Sequence, residues 1–301
     1  MDRLTRAFFE MMFELRYLKS RGGEFQEFFA SIMEKRHPGD FAKVRPWGKA
    51  GDRKNDGYLV SRRQLFQVYA PNEMKSAAAI AKIDEDFSGA LPHWKQHFDQ
   101  WIFVHNSKEG LGPDVTKKLL SLAKAHTKIK VCPWGFEELR QEAFALKEPD
   151  LASLLGPPPT QTAMLNLGVA DLQPVLDHIA HFPPADGPDL RPVPPGKIKH
   201  NMLSSHVETL LTAGISRSDL VHRYFRAGTD QSLQDKIAAM FRKQYVMLKS
   251  ENRSPDDIFV QLQHFVGGTI VSLPSRQAAV FAVLAYFFQE CDIFERPEGK
   301  P

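Results

Sequence analysis

Cysteine is almost absent from this chain. Its 301 residues include two, Cys132 and Cys291, far apart and outside any CxxC pair. That excludes a disulfide framework and a four-cysteine structural zinc site, and it fits a reducing cytoplasm. Long apolar runs are missing as well. The longest, Ala278 to Phe288, is too short to span a bilayer and reads as a buried helix, so no membrane association is expected. Met1 to Arg6 offers no apolar signal core, which predicts a chain that is not exported. Charge of one sign is also scarce: 39 Lys+Arg stand against 36 Asp+Glu, a net charge of +3. Charge alone therefore does not mark a nucleic-acid binder. The small excess lies in residues 1–148, with 25 Lys+Arg against 20 Asp+Glu, so an anionic partner belongs to that half. His93 and His97 have an i, i+4 spacing that zinc can use, but no third ligand stands near them in the sequence.

What is present is ordinary for a globular protein, with 43% hydrophobic and 25% charged residues. The length allows two domains. Residues 2–20 read as a helix ended by Gly22-Gly23. A second helix over 24–36 carries Phe25, Phe28, Phe29, Ile32 and Met33 as one apolar stripe, flanked by Glu24 and Gln26. Phe41 to Val44 reads as a strand. Tyr58 to Val60 and Leu65 to Tyr69 read as paired strands joined through Ser61-Arg62-Arg63-Gln64. Helices near 74–87, 114–125 and 135–146 then alternate with strands at 101–105 and 129–131. Such alternation implies parallel crossovers and an α/β sheet.

Composition changes after residue 147. Residues 148–196 are rich in proline and hold one amphipathic helix near 168–180, which predicts a stiff connector. Residues 197–301 read as helical throughout, with helices near 200–212, 216–226, 232–248, 255–265 and 275–291. The expected organisation is an α/β domain (1–147), a connector (148–196) and an all-α domain (197–301). No catalytic constellation is visible in the last of these.

The chemistry concentrates in Gly51-Asp-Arg-Lys-Asn-Asp-Gly-Tyr58 and the strand Leu65-Phe-Gln-Val-Tyr69. The first is a polar turn holding two carboxylates, Asp52 and Asp56. The second alternates, placing Leu65, Gln67 and Tyr69 on one face and Phe66 and Val68 on the other. Carboxylates beside a strand with an inward amide suit a hard divalent cation that takes oxygen ligands and keeps some waters. The plainer reading makes Asp52 and Asp56 turn residues and Gln67 a satisfied polar group on an edge strand. Arg62 and Arg63, with Lys54, are candidate phosphate contacts, or residues of an exposed hairpin tip.

The order helix, strand, Gly-rich acidic turn, strand with a polar residue, helix resembles the restriction-endonuclease-like fold of the PD-(D/E)XK nuclease superfamily, over residues 20–140. That family's signature is Asp, a gap, then Glu or Gln, any residue, and Lys. Asp56 matches the Asp, and Gln67 matches the Gln of the Mrr-like branch. Tyr69 stands where the Lys is expected. The resemblance implies a lysine migrated to the next helix, for which Lys82 is the candidate, and a helical acidic position that falls at Gln26. It implies a Mg²⁺- or Mn²⁺-dependent DNA endonuclease, with Asp56, Gln67 and Asp52 on the metal and a possible homodimer. The alternative is an inactive nuclease fold kept as an adaptor. Lys197-Ile-Lys-His-Asn201 and Tyr286-Phe-Phe-Gln-Glu-Cys-Asp-Ile-Phe294 resemble the C-terminal domains of ABC-three-component systems, predicted bacterial antiphage modules. That implies partnership with an ABC/SMC-like ATPase and a small middle component.

Overall fold

The computed structural model describes residues 1–44, 54–180, 196–228, 232–267, 273–290, 293–295 and 297. The chain divides into two compact units, residues 13–154 and residues 1–12 together with 155–301. Helix α1 (Arg3–Lys19) contributes to both.

In the 13–154 unit, α2 (Gly22–Arg36) leads into β1 (Phe41–Lys43), β2 (Gly57–Leu59), β3 (Gln64–Tyr69), α3 (Ser76–Trp94), β4 (Gln100–His105), α4 (Pro113–Ala125), β5 (Lys130–Trp134), α5 (Phe136–Phe144) and α6 (Glu148–Leu155). Gly22 and Gly23 do not form the expected gap; they open α2. The first helix already stops at Lys19, and Gly22 takes a φ of +48° that suits a residue without a Cβ.

The five strands lie in the order β1-β2-β3-β4-β5. The β1–β2 and β2–β3 pairs are antiparallel, and β3–β4 and β4–β5 are parallel. Chain connectivity explains the switch. A tight turn carrying Arg63 at φ +50° joins β2 to β3, whereas helices α3 and α4 provide the long crossovers that parallel neighbours require.

Strand β3 is the middle strand and is buried on both faces. On one side Leu65, Trp101 and Phe103 pack against Ala79, Ile83 and Phe87 of α3 and Val115 and Leu119 of α4. On the other side Phe29 of α2 meets Phe41 and Phe66 at ring-centre distances of 5.8 and 5.3 Å, and α5 packs beside α2.

The second unit is helical. The stretch read as a connector with one helix holds α6, α7 (Gln161–Leu165) and α8 (Val169–Ala180). Thr160 caps α7 by accepting a hydrogen bond from Ala163 N at 3.0 Å. The Pro-rich arm at 181–195 lies outside the described residues. Then follow α9 (Lys197–His200), α10 (Ser205–Ile215), α11 (Ser218–Ala227), α12 (Leu233–Ser250), α13 (Pro255–Gly267) and α14 (Pro274–Glu290). The helix expected over 200–212 begins later, because Ser204 serves as its N-cap and accepts from Val207 N at 3.3 Å. Residues 278–288 of α14 are all buried, as expected for the longest apolar run. Among the described residues no helix is long and apolar enough to cross a membrane.

Candidate functional site

The segment entering β2 is built to hold one carboxylate still. Lys54 adopts a left-handed φ of +61°. Asn55 is fully buried, and its Oδ1 accepts from Gly57 N at 2.8 Å, which closes a local turn. Asp56 follows at the end of the β2–β3 ladder. Its N–H donates to Phe66 O at 2.9 Å, and its Oδ2 accepts from Val68 N at 2.7 Å. The side chain thus replaces the carbonyl that a longer β2 would offer, and its two bonds bracket Gln67 on both sides. Across from it, Gln26 on α2 donates from Nε2 to Asp56 Oδ1 at 2.8 Å.

Two of the residues singled out from sequence therefore meet, Gln26 and Asp56, and Gln67 lies between Phe66 and Val68, whose backbone Asp56 bonds. Gln67 lies on the central strand, not an edge, with Leu65 and Tyr69 on the face that packs against α3. It is buried, and its Oε1 has no hydrogen-bond partner. A buried acceptor of that kind calls for a donor, a water or a cation. Asp56 accepts through both of its oxygens, Oδ1 from Gln26 and Oδ2 from Val68. These donors fit an oxygen-preferring divalent ion. Among the described residues no group of three or more His, Cys, Asp or Glu side chains forms a metal cluster. Asp52, the other expected ligand, lies outside the described residues.

The structure places Lys82 elsewhere in its contacts. Its Nζ donates to Asp86 Oδ1 at 2.9 Å, one helical turn on. Lys54 also reaches Asp86 Oδ1, at 3.4 Å, and bonds Glu85. Gly89 leaves room for the Lys54 stem: a Cβ there would come within 2.7 Å of Lys54 Cγ. Asp86 is wholly buried, and its Oδ2 has no partner. Burial raises its carboxyl above the usual range, opposed by the two ammonium groups. Hydrogen bonding to Glu85 raises the Lys54 ammonium in turn.

Sequence reasoning missed Asp86. Its spacing from Ile83 and Ala90 (i+3, i−4) puts it on the apolar stripe of α3, which is the signal that could have found it. Arg62 and Arg63 occupy the β2–β3 turn, and both are engaged. Arg63 donates to Asp99 Oδ2 at 2.7 Å and to Gln96 O at 2.8 Å, and Arg62 lies 3.9 Å from Glu142.

In the helical unit the two sequence stretches singled out near its ends come together. The buried Lys197 donates from Nζ to Phe288 O at 3.1 Å, with its charge 4.5 Å from the Phe288 ring centre. Asn201 donates to Glu295 O at 2.7 Å and accepts from Glu295 N at 2.7 Å. The two stretches therefore form a clasp on the end of α14.

Residues 170–295 match the family C-terminal domain 10 of the ABC-three component (ABC-3C) systems. The match covers α8 through the Asn201–Glu295 clasp. It thus begins inside the stretch read as a connector and joins α8 to the ABC-3C domain. No curated protein and no solved structure matches the chain.

Proposed function

We propose that this chain is the effector of an ABC-3C antiphage system. In this reading the 13–154 unit is a restriction-endonuclease-like domain that hydrolyses DNA phosphodiesters with Mg²⁺ or Mn²⁺. The observation that carries it is the pairing of Asp56, fixed by Gln26 and Val68, with the buried, unpartnered Oε1 of Gln67 beside it. The order α2, β1, β2–β3, α3 agrees with the family resemblance. Asp56 and Gln67 would hold the cation, and Asp52 would assist. When bound, the ion supplies charge stabilisation and an activated water. Gln26 orients Asp56. In this reading Lys82, released from Asp86 one turn on, supplies positive charge to the phosphate. The ABC-3C domain takes the ATPase and the small middle component as partners, in the cytoplasm, and a homodimer fits cleavage of both strands.

Plasmid cleavage by purified protein with Mg²⁺ or Mn²⁺ tests this. The expected result is loss of cleavage in Asp56→Ala by at least about a hundredfold, in a protein that still folds cooperatively but melts lower, because the Val68 N–H loses its acceptor. Loss in Lys82→Ala as well assigns the lysine to α3. Full cleavage by Asp56→Ala would remove the mechanism.

One observation favours a second reading, a non-catalytic adaptor. Tyr69 replaces the motif lysine, and Lys82 and Lys54 are both tied to Asp86. Salt-sensitive DNA binding without metal-dependent cleavage, even with the ATPase partner added, would decide for it.

A further inference from the structure

The crevice beyond the carboxyl ends of β4 and β5 has a second constellation. Strand β4 leads to α4 on one face of the sheet, and β5 leads to α5 on the other. The two connections diverge and leave a cavity of about 490 Å³, walled by residues 107–111, Pro133 and residues 135–138. Open α/β sheets bind ligands at such divergence points.

His105, the last residue of β4, lines this cavity and is only 3% exposed. Its Nδ1 accepts from Ser107 N at 3.3 Å, so the ring proton resides on Nε2. No hydrogen bond to Nε2 occurs among the described residues. The Cε1–Nε2 edge fills the space left by the missing side chain of Gly135: a Cβ there would come within 2.9 Å of Cε1 and 3.1 Å of Nε2. Gly135 is also the N-cap of α5, and the backbone N–H groups of Phe136 and Glu137 open the helix ahead of its first i→i−4 bond. The backbone that carries the imidazole is itself held, since the buried Tyr17 donates to the His105 carbonyl oxygen at 2.6 Å.

The other polar side chains bonded in this lining are already engaged. Ser107 Oγ donates to Gly110 O, Thr116 Oγ1 to Leu111 O and Gly112 O, Glu138 Oε2 accepts from Gly135 N, and Lys108 is paired with Glu14. What remains is a buried neutral N–H donor beside a helix N-terminus. Donors without acceptors select an oxygen-bearing ligand, and the helix terminus favours negative charge. Glu109, Glu137 and Glu138 stand around the cavity and disfavour a dianion.

We propose that this crevice binds a carboxylate monoanion, one oxygen on His105 Nε2 and the other on the first-turn amides of α5. Burial, which keeps the imidazole neutral, leaves Nε2–H as a hydrogen-bond donor rather than a charge.

The test is an NMR titration of the full chain with acetate, acetamide and inorganic phosphate, read at the backbone amides of Phe136 and Glu137. Acetate is expected to shift both saturably, with acetamide and phosphate at least several-fold weaker. His105→Phe should abolish the shifts. Glu138→Gln, which keeps the cap but removes a negative charge, should tighten acetate several-fold. Gly135→Ala checks the geometry independently, because its methyl displaces the imidazole edge and weakens binding. Acetamide binding as well as acetate would overturn the carboxylate assignment. Unmoved amides, or unchanged binding in a folded His105→Phe, would overturn the site.

Discussion

Asp56 and His105 show how differently a polar side chain can be placed by one sheet. Asp56 extends a ladder that β2 is too short to complete, so a backbone N–H fixes its carboxylate. His105 ends a buried strand and is neutral because it is dry. Burial lowers its pKa from 6.5 to about 4. The sign of the consequence is clear. Above pH 6.5 both folded and unfolded chains carry a neutral imidazole. As pH falls, the unfolded chain takes up the proton first, so stability drops between pH 6.5 and about 4 and then levels. The shift corresponds to roughly 3 kcal/mol. Denaturant midpoints followed across that range should show the loss, and His105→Gln should flatten it; parallel curves for the two proteins would mean His105 is not the titrating group. At this scale the sequence was readable where a motif carried the signal. Asp56, read as a carboxylate of a polar turn, and Gln26, placed by the family resemblance, do meet. His105 was not singled out, because a histidine ending Trp-Ile-Phe-Val reads as an ordinary strand terminus, and nothing local reveals the Gly135 vacancy that accepts its ring.

Helices and strands were legible where their periodicity was strong. The stripe on α2 predicts Phe25, Phe28, Phe29, Ile32 and Met33 as core, and all five are buried. Helix α3 was read as ending near Phe87 but runs to Trp94, carrying Pro92 in its last turn. Its tertiary packing through Ala90 outweighs the weak local signal of Ser88-Gly89. The helices α6 and α7 were hidden by proline, which is tolerated at or before the first turn. Close helix contact is equally invisible in sequence. Gly214 lets α10 lie directly on α14: a Cβ there would be 2.7 Å from Ala285 Cβ and closer still to the Phe281 carbonyl oxygen. Gly214→Ala should therefore cost about 1–3 kcal/mol despite alanine's better helix propensity. Thermal melts report it, and a variant as stable as the parent would show that the two helices can part without loss.

The division of the molecule follows contacts rather than chain order. Leu4, Phe8 and Phe9 are buried in the same unit as α14, and Phe8 lies 6.4 Å from Phe281 in an edge-to-face arrangement. The sequence suggests a cut near residue 147, because proline enrichment is visible and a distant aromatic pairing is not. A fragment of residues 155–301 therefore lacks Leu4, Phe8 and Phe9 among other buried side chains, each of these three worth roughly 2–5 kcal/mol. It should melt well below the corresponding transition of the intact chain, and a fragment that includes residues 1–12 through a short linker should recover it. Equal melting with and without residues 1–12 would show that α1 adds nothing to that core.

The discontinuous core also has a consequence for synthesis. Phe8 leaves the ribosome long before Phe281 is made, a wait on the order of tens of seconds at ordinary elongation rates. The intervening 13–154 unit has all its strands and can close first. Until α14 is made, Phe8 lacks its Phe281 partner while Phe13 and Tyr17 on the same helix already have theirs, so the start of α1 is an exposed apolar segment that a chaperone would cover.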